Sequence, residues 1–158
     1  MTAARALILS SLAVVLGCAT EKSAAAPAPK TFDVPLTTAA EVPVCTAAAP
    51  GATGKATIAI APDDSSITAA VTHSGLSGDA TAAHIHVGAA GVAGPVVLPF
   101  SAPLTSPFTK TFTAADYVAA PNAPPDFPSF LTVLKSGGAY VNVHTATCKP
   151  GEIRGQIQ

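Results

Sequence analysis

The chain has 158 residues and a formal net charge of −1, with eight Lys/Arg against nine Asp/Glu. That length excludes a multi-domain enzyme, and the absence of any basic block argues against a nucleic-acid surface built on phosphate neutralisation. With 15 Pro and 12 Gly there is no sustained heptad pattern, so a coiled coil is excluded too.

Residues 1–17 read as a leader. Arg5 precedes an apolar stretch from Leu7 to Leu16, and Val15-Leu16-Gly17-Cys18 has the form of a lipobox, with a small residue just before the cysteine. Leu16 is bulkier than that place usually holds. The expectation is a lipoprotein signal peptide over 1–17 with Cys18 as the lipidated residue; acyl chains contributing about 0.8 kcal/mol per buried methylene would hold the protein at a membrane. Residues 18–30 carry Ala, Pro, Ser and Lys without apolar periodicity and are expected to form a disordered tether. The folded domain is then 31–158, in an extracytoplasmic place: the bacterial outer membrane or periplasm. In such an oxidising compartment the two remaining cysteines, Cys45 and Cys148, are expected to pair, and the lack of a CxxC argues against thiolate metal ligation.

The body reads as strands. Phe32 to Leu36 alternates. Glu41 to Val44 is an extended piece marked by Pro43. Gly54 to Ala61 places Ala56, Ile58 and Ile60 on one face, and after the turn at Pro62 to Ser65, Ser66 to His73 does the same with Ile67, Ala69 and Val71. Gly75 to Asp79 is a turn, Ala82 to Val87 alternates, Gly88 to Pro95 is a glycine loop and Val96 to Phe100 is a short strand. Two short helices are expected: one at Thr113 to Asp116, which has capping-box spacing, and one over Ser129 to Ser136 with Ser129 as its cap residue. Ala139 to Thr145 and Gly151 to Ile157 close the chain as alternating strands. The class is all-β, a sandwich or barrel with one or two short helices.

The polar residues of three strands fall on one parity. His84 and His86 flank Ile85; Tyr140, Asn142 and His144 alternate with valines; Glu152, Arg154 and Gln156 alternate with isoleucines. If these strands are neighbours, His84, His86 and His144 converge. A His-x-His pair with one further strand histidine is a recurrent way to build a copper or zinc site. His73 is a candidate fourth ligand. Asn142 or a backbone carbonyl would take the free ring N–H of a ligand histidine. Arg154 can pair with Glu152 or with Glu41. The other reading of the same face is a hydrogen-bond network that covers the sheet without metal. No nucleophile elbow or phosphate-binding loop appears, so catalysis is not expected from the residues.

Six motifs occur in order: Leu36 with Ala40-Glu41-Val42-Pro43, Gly75-Leu76-Ser77-Gly78, Thr81 to His86, Gly94-Pro95-Val96-Val97, Tyr140 to Thr145, and Pro150 to Gln156. Together they resemble the CHRD domain family, named for the extracellular protein chordin. The resemblance covers about residues 31–158 and implies an extracellular or periplasmic Greek-key β-sandwich, immunoglobulin-like or superoxide-dismutase-like. Cys45 and Cys148 are not part of its common pattern. Gly75-Leu76, His84-Ile85-His86, His144 and Arg154 are also similar in order to copper/zinc superoxide dismutase. That similarity implies copper on His84, His86 and His144, with Arg154 as an anion partner. The zinc-loop cluster of His and Asp is absent here, since the chain has only four His. Three readings follow: a copper-binding module for storage, delivery or electron transfer, with zinc second to copper; a metal-free interaction or structural module of the envelope, its protein partner unknown; and, least favoured, a dismutase-like redox enzyme.

Overall fold

The structure is a computed structural model that describes residues 27–158. The leader, Cys18 and the tether up to residue 26 lie outside the described residues. Residues 27–29 are exposed and irregular, and the first strand starts at Lys30.

Eight strands form one antiparallel sheet: β1 (Lys30–Thr37), β2 (Thr53–Ile60), β3 (Ser66–Ser74), β4 (Ala80–Val87), β5 (Val96–Pro99), β6 (Phe108–Thr113), β7 (Ala139–Thr145) and β8 (Ile153–Gln156). Their order is β5-β4-β7-β8-β1-β2-β3-β6. The chain leaves β3 for the far half, returns to place β6 beside β3, and crosses again to place β7 beside β4, which is a Greek-key path. The expected all-β sandwich is what the chain forms. Its halves are joined at a narrow seam where β1 meets β8 through the single pair Thr37 and Arg154. Gly155 makes this approach close, since a Cβ there would run into the Pro35 carbonyl and the side chains of Val34 and Leu36.

The period-2 pattern puts Val34 and Leu36, Ala56, Ile58 and Ile60, and Ile67, Ala69 and Val71 into one core, where they meet Ile85, Leu98, Val141, Val143 and Ile153 from the other half. Full burial of each of the larger side chains contributes roughly 1.5–3 kcal/mol. At the open side of the sandwich, Phe100 stands edge-on to Phe108 and Phe112, and Lys110 Nζ donates to the Pro99 carbonyl, bridging β6 to β5.

The sequence pattern did not announce β6. Its inward row is Phe108, Lys110, Phe112, and the lysine breaks the apolar alternation. Lys110 is accommodated because it runs over the Phe112 ring and reaches Asp116 at 3.1 Å. The first expected helix, at Thr113 to Asp116, is a single 3-10 turn over Ala114–Asp116, with Asp116 accepting from the Thr113 amide and hydroxyl. The second helix, α1, begins earlier than expected and spans Phe127–Lys135. Asp126, not Ser129, is its cap: its carboxylate accepts from the Ser129 amide, and Pro128 sits in the first turn where no intrahelical N–H is needed. Phe127, Phe130, Leu131 and Leu134 bury its inner face. The segment from Glu41 to Val44 is not a strand; a 3-10 turn at Thr38–Ala40 ends β1, and the chain continues as loop.

Candidate metal centre

β4, β7 and β8 are neighbours, and their register fixes the site. His84 lies opposite Asn142, which lies opposite Arg154; His86 lies opposite Tyr140, which lies opposite Gln156. His144 pairs with Ala82 one step along. The polar row is therefore a contiguous patch of three adjacent strands. It is also covered. Every residue of β7 is buried, including Tyr140, Asn142 and His144, and Arg154 is 2% exposed.

The cover comes from two loops. Arg154 Nη2 donates to the Ala89 and Val92 carbonyls at 3.1 and 2.9 Å, and Gln156 Nε2 donates to the Gly88 carbonyl at 2.8 Å. The Tyr140 hydroxyl accepts from the Gly94 amide at 3.0 Å. These bonds draw the glycine loop over the sheet. Gly94 is required there, because a Cβ would collide with the Val87 carbonyl. On the other side the 41–50 loop is stapled by the Cys45–Cys148 disulfide, the pairing expected of these two cysteines.

His84, His86 and His144 come together. One ligand nitrogen from each lies within 4.8 Å of the other two. Three points no further apart than that share a centre within about 2.8 Å of each, so small side-chain adjustments reach metal–nitrogen bonds of about 2 Å. His84 Nδ1 is 3.1 Å from His144 Nε2. The ring orientations are set from behind. His86 Nδ1 bonds the Gly94 carbonyl at 2.9 Å, and His144 Nδ1 bonds the Lys149 carbonyl at 2.9 Å. A carbonyl can only accept, so both Nδ1 atoms carry the proton and both Nε2 atoms keep the lone pair that a metal needs. His86 Nε2 is buried and has no hydrogen-bond partner. Backbone carbonyls thus play the supporting part; Asn142 instead donates to Glu41 Oε2 at 3.3 Å.

Burial, followed by the charges of His144 and His86, pushes His84 down to about 4. Burial likewise holds His86 and His144 below the usual imidazole range. The group is neutral at pH 7, the state in which imidazole binds metal. The three residues are able to hold a metal ion.

His73 does not join them. It sits on β3 in the other half, with Nε2 3.0 Å from the Leu104 carbonyl and its ring near Phe108. Neither ion pair expected for Arg154 forms: among the described residues the salt bridges are Lys55–Asp33, Lys110–Asp116 and Lys135–Asp64. Arg154 stacks on Tyr140 instead, with Cζ 3.4 Å from the ring centroid. Glu41 is buried beside it, and burial pushes its carboxyl up to about 7 against the opposing pull of Arg154. Glu152 turns away because β8 starts only at Ile153. Its carboxylate accepts from the Ser77 amide and hydroxyl, the Thr145 hydroxyl and the Ala49 amide, tying three loops together. Burial alone would raise Glu152, but these donors outweigh it and hold the carboxyl below its ordinary value. Sequence reading missed this knot, since its partners are 7, 75 and 103 residues away. Tyr140 lies on the polar parity that the sequence assigns to it, and its role is visible only in the structure. It stacks on His86, with centroids 4.7 Å apart and planes 9° from parallel.

Among the described residues no helix is long and apolar enough to cross a membrane. The model of the CHRD domain family matches residues 32–157, nearly all of the described chain. No curated protein and no solved structure matches the chain. With a family model covering that span, the chain belongs to the CHRD domain family.

Proposed function

We propose that this CHRD domain is a copper-binding module that works outside the cytoplasm, anchored to the bacterial envelope through a lipid on Cys18, in metal storage, delivery or electron transfer. The observation that carries the reading is the preorganisation of His84, His86 and His144. A purely structural polar face satisfies its ring nitrogens; here the His86 Nε2 lone pair is buried with nothing to accept from, while both Nδ1 protons are taken by carbonyls. A metal resolves that mismatch. Imidazole-only ligation suits copper and zinc, and copper stands above zinc in affinity for nitrogen ligands. The family and the disulfide fit an oxidising, extracytoplasmic location.

The role is binding rather than turnover. What supports this is that the groups around the histidines among the described residues are engaged in holding loops. The test is titration of the protein with cuprous, cupric and zinc ions beside His84→Ala and His144→Ala. The reading expects one copper per chain, lost in both variants while the far-ultraviolet spectrum is kept. Equal copper uptake by wild type and variants contradicts it.

A specific observation favours a metal-free reading as the second choice. His84 Nδ1 and His144 Nε2 stand at hydrogen-bond distance, so two of the three rings can satisfy one another. On that reading the face only holds the loops in place, and both variants lose stability without any metal having been bound.

A further inference from the structure

The environment of the three histidines sets the charge a metal brings. The ligand set holds no carboxylate and no thiolate, so a bound ion keeps its full charge. Next to it stands a fixed cation. β4 and β8 flank β7, and the Tyr140 ring carries His86 on one side and the Arg154 guanidinium on the other. The contacts are 4.7 Å between the His86 and Tyr140 rings and 3.4 Å from Tyr140 to Arg154 Cζ. The guanidinium carbon is therefore no more than about 8 Å from the His86 ring, a separation over which partly buried charges still interact strongly. Arg154 cannot swing away, because two carbonyls and the seam to Thr37 hold it. No carboxylate neutralises it by a salt bridge among the described residues: Glu41, buried beside it with its carboxyl pushed up to about 7, offsets it only in part and accepts from Asn142, and Glu152 is engaged with Ser77, Thr145 and Ala49.

We infer that Arg154, stacked through Tyr140 on His86, is a positioning residue that tunes the three-histidine group toward monovalent copper and against divalent copper and zinc. The inference rests on the copper reading above and adds the valence. A unit of charge on the metal, about 10 Å from the guanidinium at an effective dielectric of about 20, is worth about tenfold in binding. Divalent ions carry that penalty twice and the cuprous ion once. Three neutral nitrogen donors with a cation beside them then favour the ion of lower charge.

The experiment measures cuprous affinity by competition with bicinchoninate and cupric affinity by competition with glycine, on the full chain. Arg154→Gln is expected to shift the ratio about tenfold toward the cupric ion, which lowers the potential of the bound couple by about 59 mV for this one-electron change. Arg154→Lys keeps the charge and is expected to retain the wild-type ratio. Ala40→Glu leaves Arg154 and its bonds in place. Residue 40 is exposed and lines the small cleft that also reaches Arg154, so a carboxylate there offsets the cation and is expected to move the ratio in the same direction. This variant decides the matter if Arg154→Gln fails to fold. An unchanged ratio in the folded charge variants, or an equal change in Arg154→Lys and Arg154→Gln, overturns the inference and leaves copper binding standing. A chain that binds no copper in either valence overturns both together.

Discussion

Opening the Cys45–Cys148 bridge should cost this domain more than any single side chain in its core. The two residues are separated by 103 positions, so the bridge closes most of the described chain into one loop. In the chain-entropy model a loop of roughly 100 residues restricts the unfolded state by about 4.7 kcal/mol. For a folded region of this size, with an unfolding entropy of about 2 cal/mol/K per residue, that corresponds to a fall in Tm on the order of 15 °C. The native side adds a local term. Cys148 is fully buried, and its amide donates to Thr145 Oγ1, which itself donates to Glu152. Its neighbour Lys149 supplies the carbonyl that fixes the His144 ring. The double variant Cys45→Ser/Cys148→Ser, followed by calorimetry and by copper titration, separates the two. The expected result is the drop in Tm together with weaker copper binding through a loosened His144. A Tm within a degree or two of wild type refutes the entropic reasoning, and unchanged copper affinity refutes the coupling to His144.

Three further outcomes follow from buried polar groups and close approaches. Glu41 has a carboxyl raised by burial to about 7, so it binds its proton more tightly folded than unfolded; its contribution is most favourable below about pH 4.5 and is lost as pH rises toward 7. Glu41→Gln should therefore stabilise the domain by up to about 3 kcal/mol at pH 8 and change it little at pH 4.5, and a denaturant series at both pH values checks the sign. Glu152 has the opposite linkage: its carboxyl is held below the ordinary value, so its stabilisation is present above that value and disappears as pH falls through the folded pKa. Glu152→Ala leaves four donors without their acceptor and should cost roughly 3 kcal/mol or more, read by urea unfolding at pH 7. Gly155→Ala forces a Cβ into the Pro35 carbonyl at the only β1–β8 pairing, and should destabilise by roughly 1–3 kcal/mol, with protection from hydrogen exchange lost first along that seam.

Much of this architecture was legible because strand periodicity is a local signal. Alternation alone put Ile58, Ile67, Val141 and Ile153 in the core and His84, His86 and His144 on one parity, and the register then brought the three rings together. The burial of that polar face was not legible. It depends on Arg154, Gln156 and Tyr140 drawing the glycine loop over the sheet, through contacts 46 to 68 residues apart in sequence. The same distance hides the true partners of the charges. An Arg and two Glu on adjacent segments suggest an ion pair, yet Arg154 found an aromatic face and carbonyls, and Glu152 found amide and hydroxyl donors beyond a strand end where parity no longer applies. His73 obeyed its own strand and stayed with β3. β6 was hidden by one lysine at an inward position, which the Phe112 ring, the Pro99 carbonyl and Asp116 make tolerable.

The central claim is that His84, together with His86 and His144 oriented by the Gly94 and Lys149 carbonyls, holds one copper ion. The most direct measurement is elemental analysis of the untagged protein purified from copper-replete cells, together with X-ray absorption at the copper edge. The account predicts close to one copper per chain, with three nitrogen neighbours at about 2 Å and no sulfur. Metal-free protein that takes up no copper on titration, or copper bound through sulfur, would contradict it.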